Sequence, residues 1–141
     1  MCLPGTRVAL LDTIETWALQ SDSTKSLIWL YGVAGCGKSS IMHSLAEKFQ
    51  SSGYLAATFF CSRFDQSRAR PTNVIPTLVW QLAKVHQGFR QAVISHLMQD
   101  DSIPTAVQLQ FDKLLNVPLS KMTEQPVNRG FVMLIDALDE C

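Results

Sequence analysis

The 141-residue chain contains 12 basic and 12 acidic residues, so its formal net charge is zero. A chain without net charge exerts no overall field that would attract nucleic acid, an anionic membrane or an acidic substrate. We therefore expect neither nucleic acid nor a membrane as partner, and any recognition must depend on local features. The 47% of hydrophobic residues suffice for the core of one globular domain.

The four cysteines are scattered, with no CxxC pair and no His/Cys cluster at metal-ligand spacing. They are Cys2, Cys36, Cys61 and Cys141, and their isolation predicts free thiols in a reducing compartment. The first residues lack the long apolar core of a signal peptide, and no run approaches the roughly 18 apolar residues of a membrane span. The sequence thus predicts a cytoplasmic location.

Helical spacing appears first in residues 8–18, where apolar residues recur at intervals of three and four. A polar stretch follows, and we treat residues 1–25 as a lead-in helix and loop. Residues 26–31 are almost wholly apolar and precede a glycine, a pattern typical of a strand buried on both faces of a parallel sheet. We expect this run to be the first strand of a domain that covers residues 26–141.

The next segment, from Lys38, carries its apolar residues on one helical face and stops near Gly53, a natural C-cap. Residues 54–61 are rich in aromatic and apolar residues and predict a second strand, followed by the arginine-bearing loop 62–70. Further helices are predicted at residues 73–86, 89–99 and 106–115, and a polar loop at residues 120–129. The apolar run 131–135 then predicts a strand that leads directly into Asp136.

A complete GxxxxGK[ST] pattern lies between the first predicted strand and the helix after it, the context that this phosphate-binding motif requires. Its residues, with the serine that follows, are Gly32, Val33, Ala34, Gly35, Cys36, Gly37, Lys38, Ser39 and Ser40. The glycines allow backbone conformations in which successive N–H groups turn toward a phosphate. Lys38 can then reach the β- and γ-phosphates, and the Ser39 hydroxyl can bind Mg²⁺. A purely structural glycine turn would need neither side chain.

Three carboxylates follow the last predicted strand, at the sheet edge where α/β enzymes bind their ligands. Asp136 is positioned to hold Mg²⁺ through water, and Asp139 or Glu140 can orient or deprotonate an attacking water. An acidic strand end is by itself more often a solvated loop. Its pairing with the glycine motif, in the expected order along the chain, favours two halves of one magnesium–nucleotide site.

The two motifs together resemble the NACHT family of STAND nucleotide switches, particularly its fungal, nephrocystin-like members. The most specific feature is the Asp-small-apolar-Asp-Glu pattern of residues 136–140, and similar stretches occur at residues 2–7, 59–63 and 75–83. The resemblance implies that Gly5, Thr6 and Arg7 lie near the adenine or ribose, although Arg7 is equally suited to a surface position. The arginines of the loop 62–70 could contact phosphate or a partner protein. The alternative is that they are only solvated.

By this resemblance the fold is α/β, a three-layer P-loop NTPase sandwich with a parallel sheet, incomplete because the sequence ends at the Walker B strand. Family members continue with a sensor strand, a helical lid and repeats, so residues 26–141 are expected to be the N-terminal part of a NACHT domain.

The implied cofactors are ATP, or less favourably GTP, and Mg²⁺. The implied partners are the nucleotide, further copies of the protein, and effector or repeat domains. We expect slow hydrolysis in a longer parent and little in this chain. The alternatives are a nucleotide-binding scaffold without turnover, a truncated remnant, and a P-loop kinase, although no arginine-rich lid is found.

Overall fold

The computed structural model describes residues 6–20, 26–122 and 130–141. The regular elements, in chain order, are α1 (Val8–Leu19), α2 (Lys38–Ser52), β1 (Leu55–Phe60), α3 (Val74–Val85), α4 (Gln87–Leu97), α5 (Val107–Phe111), α6 (Val117–Lys121) and β2 (Val132–Asp136). Short 3-10 turns occur at Pro71–Asn73 and Leu138–Glu140, and a π-helical segment, Asp112–Asn116, joins α5 to α6. Cys2, Gly5 and most of the loop predicted at residues 120–129 lie outside the described residues.

β1 and β2 pair in parallel, with Thr58 opposite Leu134 and Phe60 opposite Asp136. Within the described ranges the sheet has these two strands, and helices pack against it, so the architecture is mixed α/β. A parallel pair needs a long crossover connection between its strands, and here the helices α3 to α6 supply it. The sequence therefore predicted the class and both of these strands correctly, whereas the larger three-layer sandwich stays a prediction.

The apolar run at residues 26–31, predicted as the first strand, is not a strand. Residues 26–33 have no regular secondary structure, and Leu27, Trp29 and Tyr31 are 76%, 67% and 83% exposed. A strand is maintained by backbone hydrogen bonds to a neighbour. In the described part of the chain β2 pairs with β1, and neither strand forms a ladder with this run. The expectation of burial on both faces was wrong for the same reason.

The helices around the predicted glycine motif agree with the sequence pattern. α1 begins at Val8, and α2 begins at Lys38 and ends at Ser52. Gly53 follows with φ 74°, the left-handed conformation of a helix C-cap, and its N–H bonds to carbonyls of the last turn. The chain then enters β1 within two residues, so α2 and β1 run in opposite directions.

The third predicted crossover helix, at residues 106–115, is longer and less regular than expected. It continues through the π-helical segment into α6, which ends at Lys121. Pro118 has no N–H and cannot make the bond to the carbonyl four residues earlier, which accounts for a wider turn just before it. Apolar periodicity alone did not predict this continuation past a proline.

The outer edge of β1 is covered by a side chain of α3. The Gln81 amide donates to the Thr58 carbonyl oxygen at 2.8 Å, and the Thr58 N–H donates to the Gln81 side-chain oxygen at 3.0 Å. Both backbone groups of Thr58 point away from β2, as alternate residues of a parallel strand do. Gln81 thus satisfies the hydrogen bonds that a further strand would otherwise make.

The apolar core is divided between the two sides of the sheet. On one side α1 and α2 pack on β2 through Leu11, Ile14, Ile41, Leu45, Phe49 and Leu134. On the other side the crossover helices pack through Ile75, Val79, Leu82, Phe89, Val93, Leu114, Leu115 and Met122, together with Ala56 of β1. None of the helices in the described ranges is long and apolar enough to cross a bilayer.

Candidate functional site

The glycine loop, residues 32–37, forms a tight turn that opens directly into α2. Gly35 and Gly37 have φ values of 76° and 87°, in the left-handed region that is strained for other residues. Gly37 is the residue that precedes the helix, and its carbonyl accepts the first helical hydrogen bond, from Ile41 N–H at 3.1 Å. The predicted conformational role of the glycines is thus confirmed at these two positions.

Gly32 is needed for a different reason. A Cβ at this position would lie 3.1 Å from the Cys36 sulfur, tighter than ordinary van der Waals contact. The turn therefore brings the side chain at its variable position 36 against the backbone at its start. Val33 is 78% exposed, and Ala34 and Gly35 are exposed beside it, so the outer surface of the loop is open to solvent.

The Lys38 ammonium group is directed back over the glycine loop. Its Nζ donates to the Gly32 carbonyl at 2.8 Å and to the Val33 carbonyl at 3.1 Å. The lysine that the sequence assigns to phosphate binding thus occupies the loop itself and bonds to its backbone. An incoming phosphate would meet a cation that is already positioned at the start of a helix.

Arg7 is the second cation that contacts the loop. Its guanidinium group donates to the Cys36 carbonyl, and it lies against Gly37, where an added Cβ would be 3.5 Å from Nη2. Arg7 precedes α1 with a φ of 57°, in the left-handed region. Arg7 is exposed directly before α1, which fits the surface position, and its place near the adenine or ribose stays a prediction.

The two serines lie in the first turn of α2. Ser39 is exposed and Ser40 is half-buried. A hydroxyl at this place stands next to the positive end of the helix dipole, and it is accessible to a metal ion that accompanies a phosphate.

Asp136 lies at the sheet edge that the first turns of α2 approach. α2 runs opposite to β1, so its first residues lie toward the end of the strand rather than its start. A ring contact joins the beginning of α2 to the end of β1, because the His43 ring of α2 stacks on the Phe60 ring with the centroids 4.2 Å apart. Phe60 is also the register partner of Asp136. The structure thus brings the Asp136 end of β2 and the beginning of α2 to the same side of the molecule.

The acidic turn, residues 136–140, reverses the chain after β2. Ala137 has a φ of 55°, and the Glu140 N–H bonds to the Ala137 carbonyl at 2.8 Å. A left-handed alanine costs roughly 1–2 kcal/mol, so the reversal is maintained by surrounding contacts. Asp139 is exposed at the outside of this turn, and Glu140 is half-buried on its inner side.

Glu140 has a partner that the sequence did not indicate. The Arg63 guanidinium group contacts one Glu140 oxygen at 3.3 Å, and the Arg63 N–H donates to the other at 3.3 Å. The pairing follows from the sheet, since Cys61 N–H bonds to the Asp136 carbonyl at 3.0 Å and brings the ends of both strands together. The two side chains are 77 residues apart in sequence, and no local spacing rule relates them.

Two cysteines lie in the apolar cluster at the ends of the two strands. Cys61 is buried, and Cys141 is half-buried. The Cys141 thiol donates to the Arg68 carbonyl at 3.4 Å. Burial raises the pKa of the Cys61 thiol to about 12. The prediction of free thiols is confirmed for Cys36, Cys61 and Cys141.

The arginine-bearing loop after β1 is fixed by its own carboxylate. Hydrogen bonds from the Ser67 hydroxyl and from Arg68 lower the pKa of Asp65 to about 2. Arg68 is thereby engaged within the loop, and Arg63 is engaged by Glu140. Arg70 is exposed.

The residues predicted to bind metal are oxygen donors, which suits Mg²⁺. No group of three His, Cys, Asp or Glu side chains that could hold a metal ion occurs in the part of the chain that the structure describes. The magnesium site stays a prediction, because Mg²⁺ in nucleotide sites takes one or two protein oxygens and obtains its remaining ligands from phosphate and water.

The family model described as Nephrocystin 3, N-terminal, matches residues 5–141. No curated protein and no solved structure matches the chain. The matched span includes both the glycine loop and the acidic turn, so the two halves of the candidate site belong to the same family region.

Proposed function

The chain belongs to the Nephrocystin 3, N-terminal family, and we propose that its glycine loop binds the phosphates of a nucleoside triphosphate together with Mg²⁺. The observation that carries the proposal is the position of the Lys38 ammonium group, which bonds to two carbonyls of a loop with left-handed glycines at the start of a fifteen-residue helix. Backbone N–H groups, a helix dipole and a fixed cation together form a site for a polyanion.

The metal part of the proposal assigns Mg²⁺ to Ser39 and Asp136. Ser39 supplies a hydroxyl in the first turn of α2, and Asp136 supplies a carboxylate at the end of β2, through a water molecule. The stack of His43 on Phe60, the register partner of Asp136, supports this assignment because it relates the beginning of α2 to that strand end. When bound, the ion would neutralise phosphate charge.

The nucleotide is ATP or, less favourably, GTP. The glycine loop contacts phosphate and does not read the base, so the choice depends on groups elsewhere, and Arg7 is the nearest candidate beside the loop. A titration with fluorescent ATP and GTP analogues, with and without Mg²⁺, tests the whole proposal. Failure of both analogues to bind in the presence of Mg²⁺ would remove it.

We further propose that the site serves a NACHT-type switch, in which triphosphate and diphosphate forms differ in self-association and in contact with effector or repeat domains. Hydrolysis would then require Asp139 or Glu140 to orient or deprotonate water. A P-loop kinase would instead transfer phosphate to a second substrate, and phosphate release with water as the sole acceptor distinguishes the two.

One observation favours a second candidate function, nucleotide binding without turnover. Glu140 is paired with Arg63 through both of its oxygens. Both oxygens of this carboxylate are directed toward Arg63, so Glu140 must leave that contact before it can orient a water. In this arrangement the protein would retain nucleotide as a scaffold, and hydrolysis would depend on release of Glu140 from Arg63.

For the metal assignment, we expect Asp136→Asn to weaken the binding of the Mg²⁺ that accompanies the nucleotide, so that added Mg²⁺ enhances nucleotide binding less. The apparent affinity for Mg²⁺ should fall about 10–100-fold, as is typical when a group that orients metal-bound water is removed. Titration of Mg²⁺ at a fixed concentration of fluorescent ATP analogue measures this effect. The matched control is Asp101→Asn, which removes an exposed carboxylate outside the site. Equal Mg²⁺ dependence in both variants would show that Asp136 does not hold the metal.

For the acidic turn, we expect Glu140→Gln to leave nucleotide affinity unchanged and to slow hydrolysis in any preparation that turns ATP over. A positioned general base contributes about 10²–10⁴-fold, and Asp139→Asn tests whether the neighbouring carboxylate has that role instead. Arg63→Ala should raise the rate if the ion pair restrains Glu140. Phosphate release at saturating ATP is the measurement, and unchanged rates in both carboxylate variants would contradict the assignment.

A further inference from the structure

A cleft of about 410 Å³ lies along the outer edge of β1, on the side of that strand away from β2. Its walls are the end of β1, the loop after it and the first turn of α3, which contribute Phe60, Arg68 and Thr77 among others. None of the described residues that line it belongs to the glycine loop or to the acidic turn. The cleft is therefore separate from the proposed phosphate site, and its volume is typical of a site for a small molecule.

The backbone of β1 is open to the cleft at Phe60. Thr58, Phe60 and Ser62 all direct their N–H and C=O groups away from β2, because alternate residues of a parallel strand do so. Gln81 bonds to both groups of Thr58, and the Ser62 N–H donates to the Arg68 carbonyl at 3.3 Å. Between them, the Phe60 N–H has no partner in the part of the chain that the structure describes. The strand edge can therefore offer this N–H to a ligand in the cleft.

Arg68 supplies the cleft with a cation whose orientation is fixed. Its Nε donates to one Asp65 oxygen at 2.8 Å, and the Ser67 hydroxyl donates to the other Asp65 oxygen at 2.6 Å. The two terminal nitrogens of Arg68 make no hydrogen bond to any residue that the structure describes, and 49% of the side chain is exposed. A guanidinium group that is held at one nitrogen can still bind a carboxylate through the other two in a fixed geometry.

The remaining walls of the cleft are tied together and partly apolar. The Asn73 amide donates to the Ser67 carbonyl at 2.7 Å, which joins the loop to the beginning of α3. The Thr77 hydroxyl donates to the Asn73 carbonyl at 2.7 Å. Phe59 and Pro76 add apolar surface, and the described lining includes no carboxylate that would repel an anion. The cleft thus combines a positive group with a surface that suits an organic molecule.

We propose that this cleft binds a small organic carboxylate. The carboxylate group accepts hydrogen bonds from the terminal nitrogens of Arg68 and from the Phe60 N–H. The apolar part of the ligand packs on Phe59 and Pro76. Phe60 is the register partner of Asp136, so the ligand lies at the same end of the sheet as the proposed metal site but across β1 from it. Carboxylate binding here goes beyond nucleotide binding and does not depend on it.

The test is titration of the native 141-residue chain with benzoate, followed by two-dimensional amide NMR. We expect saturable shifts of the Phe60 and Thr77 amide signals, with a dissociation constant of about 1–10 mM for a ligand of this size. Benzamide has the same shape without the charge and should bind at least about tenfold more weakly. Inorganic phosphate has the charge without the apolar part and should also bind more weakly than benzoate.

Four outcomes of this titration would overturn the proposal. They are the absence of a saturable shift, equal binding of benzamide, equal or tighter binding of phosphate, and shifts confined to the glycine loop. The third outcome would indicate a site for a bare anion, and the fourth would place benzoate at the proposed phosphate site instead.

Substitution of Arg68 tests the cation. Arg68→Gln should weaken benzoate binding at least about tenfold and leave benzamide binding almost unchanged, because it removes the charge. Arg70→Gln is the matched control, since Arg70 is an exposed arginine of the same loop that does not line the cleft. Native benzoate affinity in a folded Arg68→Gln variant, or an equal loss in the control, would overturn the proposal.

Arg68→Lys decides the outcome if the glutamine variant does not fold. It keeps the charge but not the planar group, so it should bind benzoate more weakly than the native chain does and still prefer benzoate to benzamide. Native affinity in this variant would contradict the role of the guanidinium group. Fluorescent ATP analogue should bind equally to the native chain and to both Arg68 variants, so the carboxylate site and the proposed phosphate site succeed or fail separately.

Discussion

Lys38→Ala is expected to lower the affinity of the chain for ATP at least about tenfold. A charge-assisted hydrogen bond contributes roughly 1.5–3 kcal/mol, and 1.4 kcal/mol corresponds to a factor of ten. The lysine begins α2 directly after the left-handed Gly37, so its ammonium group is delivered to the same loop whose N–H groups would meet the phosphates. The change removes the cation and leaves the backbone cradle.

The contacts of Lys38 make the effect on folding small. Its two hydrogen bonds are to Gly32 and Val33, in an exposed loop rather than in the core. Fluorescence titration with an ATP analogue measures affinity, and circular dichroism shows whether the variant is folded. Lys121→Ala is the matched control, because it removes an exposed lysine at the end of α6. Unchanged affinity in a folded Lys38→Ala variant would remove the phosphate-binding interpretation.

The helices and the two paired strands could be predicted because their signals are local. The apolar face from Lys38, the glycine at position 53 and the apolar run before Asp136 each encode their element within a few residues. The run at residues 26–31 carries an equally strong strand signal, yet it remains outside the sheet. Strand formation requires a partner, and periodicity within a segment carries no information about which segment lies beside it.

The candidate site likewise has one part that the sequence predicts and one part that it does not. The glycine motif specifies its own turn, and the left-handed Gly35 and Gly37 follow from it. The ion pair of Arg63 with Glu140 was not foreseen, because it depends on the parallel register of β1 and β2. Each of the two residues follows the end of a predicted strand, but this position alone does not indicate that they are partners. The sequence did not show that β1 and β2 are neighbours in the sheet.

The largest effect on stability is expected from Phe49→Ala, in the helix that carries the proposed phosphate site. Phe49 is 0% exposed and packs in the cluster that joins α1 and α2 to Leu134 of β2. Truncation of a buried phenylalanine costs about 3–5 kcal/mol, since apolar contacts are lost and a cavity remains. Typical domains have only about 5–15 kcal/mol of stability, so this change removes a large part of it.

Phe64→Ala is the matched control, because Phe64 is 91% exposed and lies in the loop after β1. A surface change of this kind is expected to alter the free energy of unfolding by no more than about 0.5 kcal/mol. Urea denaturation followed by circular dichroism compares the two variants, and equal slopes would show that the midpoints report stability alone. Because Phe49 anchors α2 to β2, its loss should also weaken nucleotide binding by lowering the folded fraction, whereas binding per folded molecule should be preserved. A Phe49→Ala variant as stable as Phe64→Ala would mean that α2 is not fastened to the sheet through this cluster, and the shared edge of the glycine loop and Asp136 would lose its structural basis.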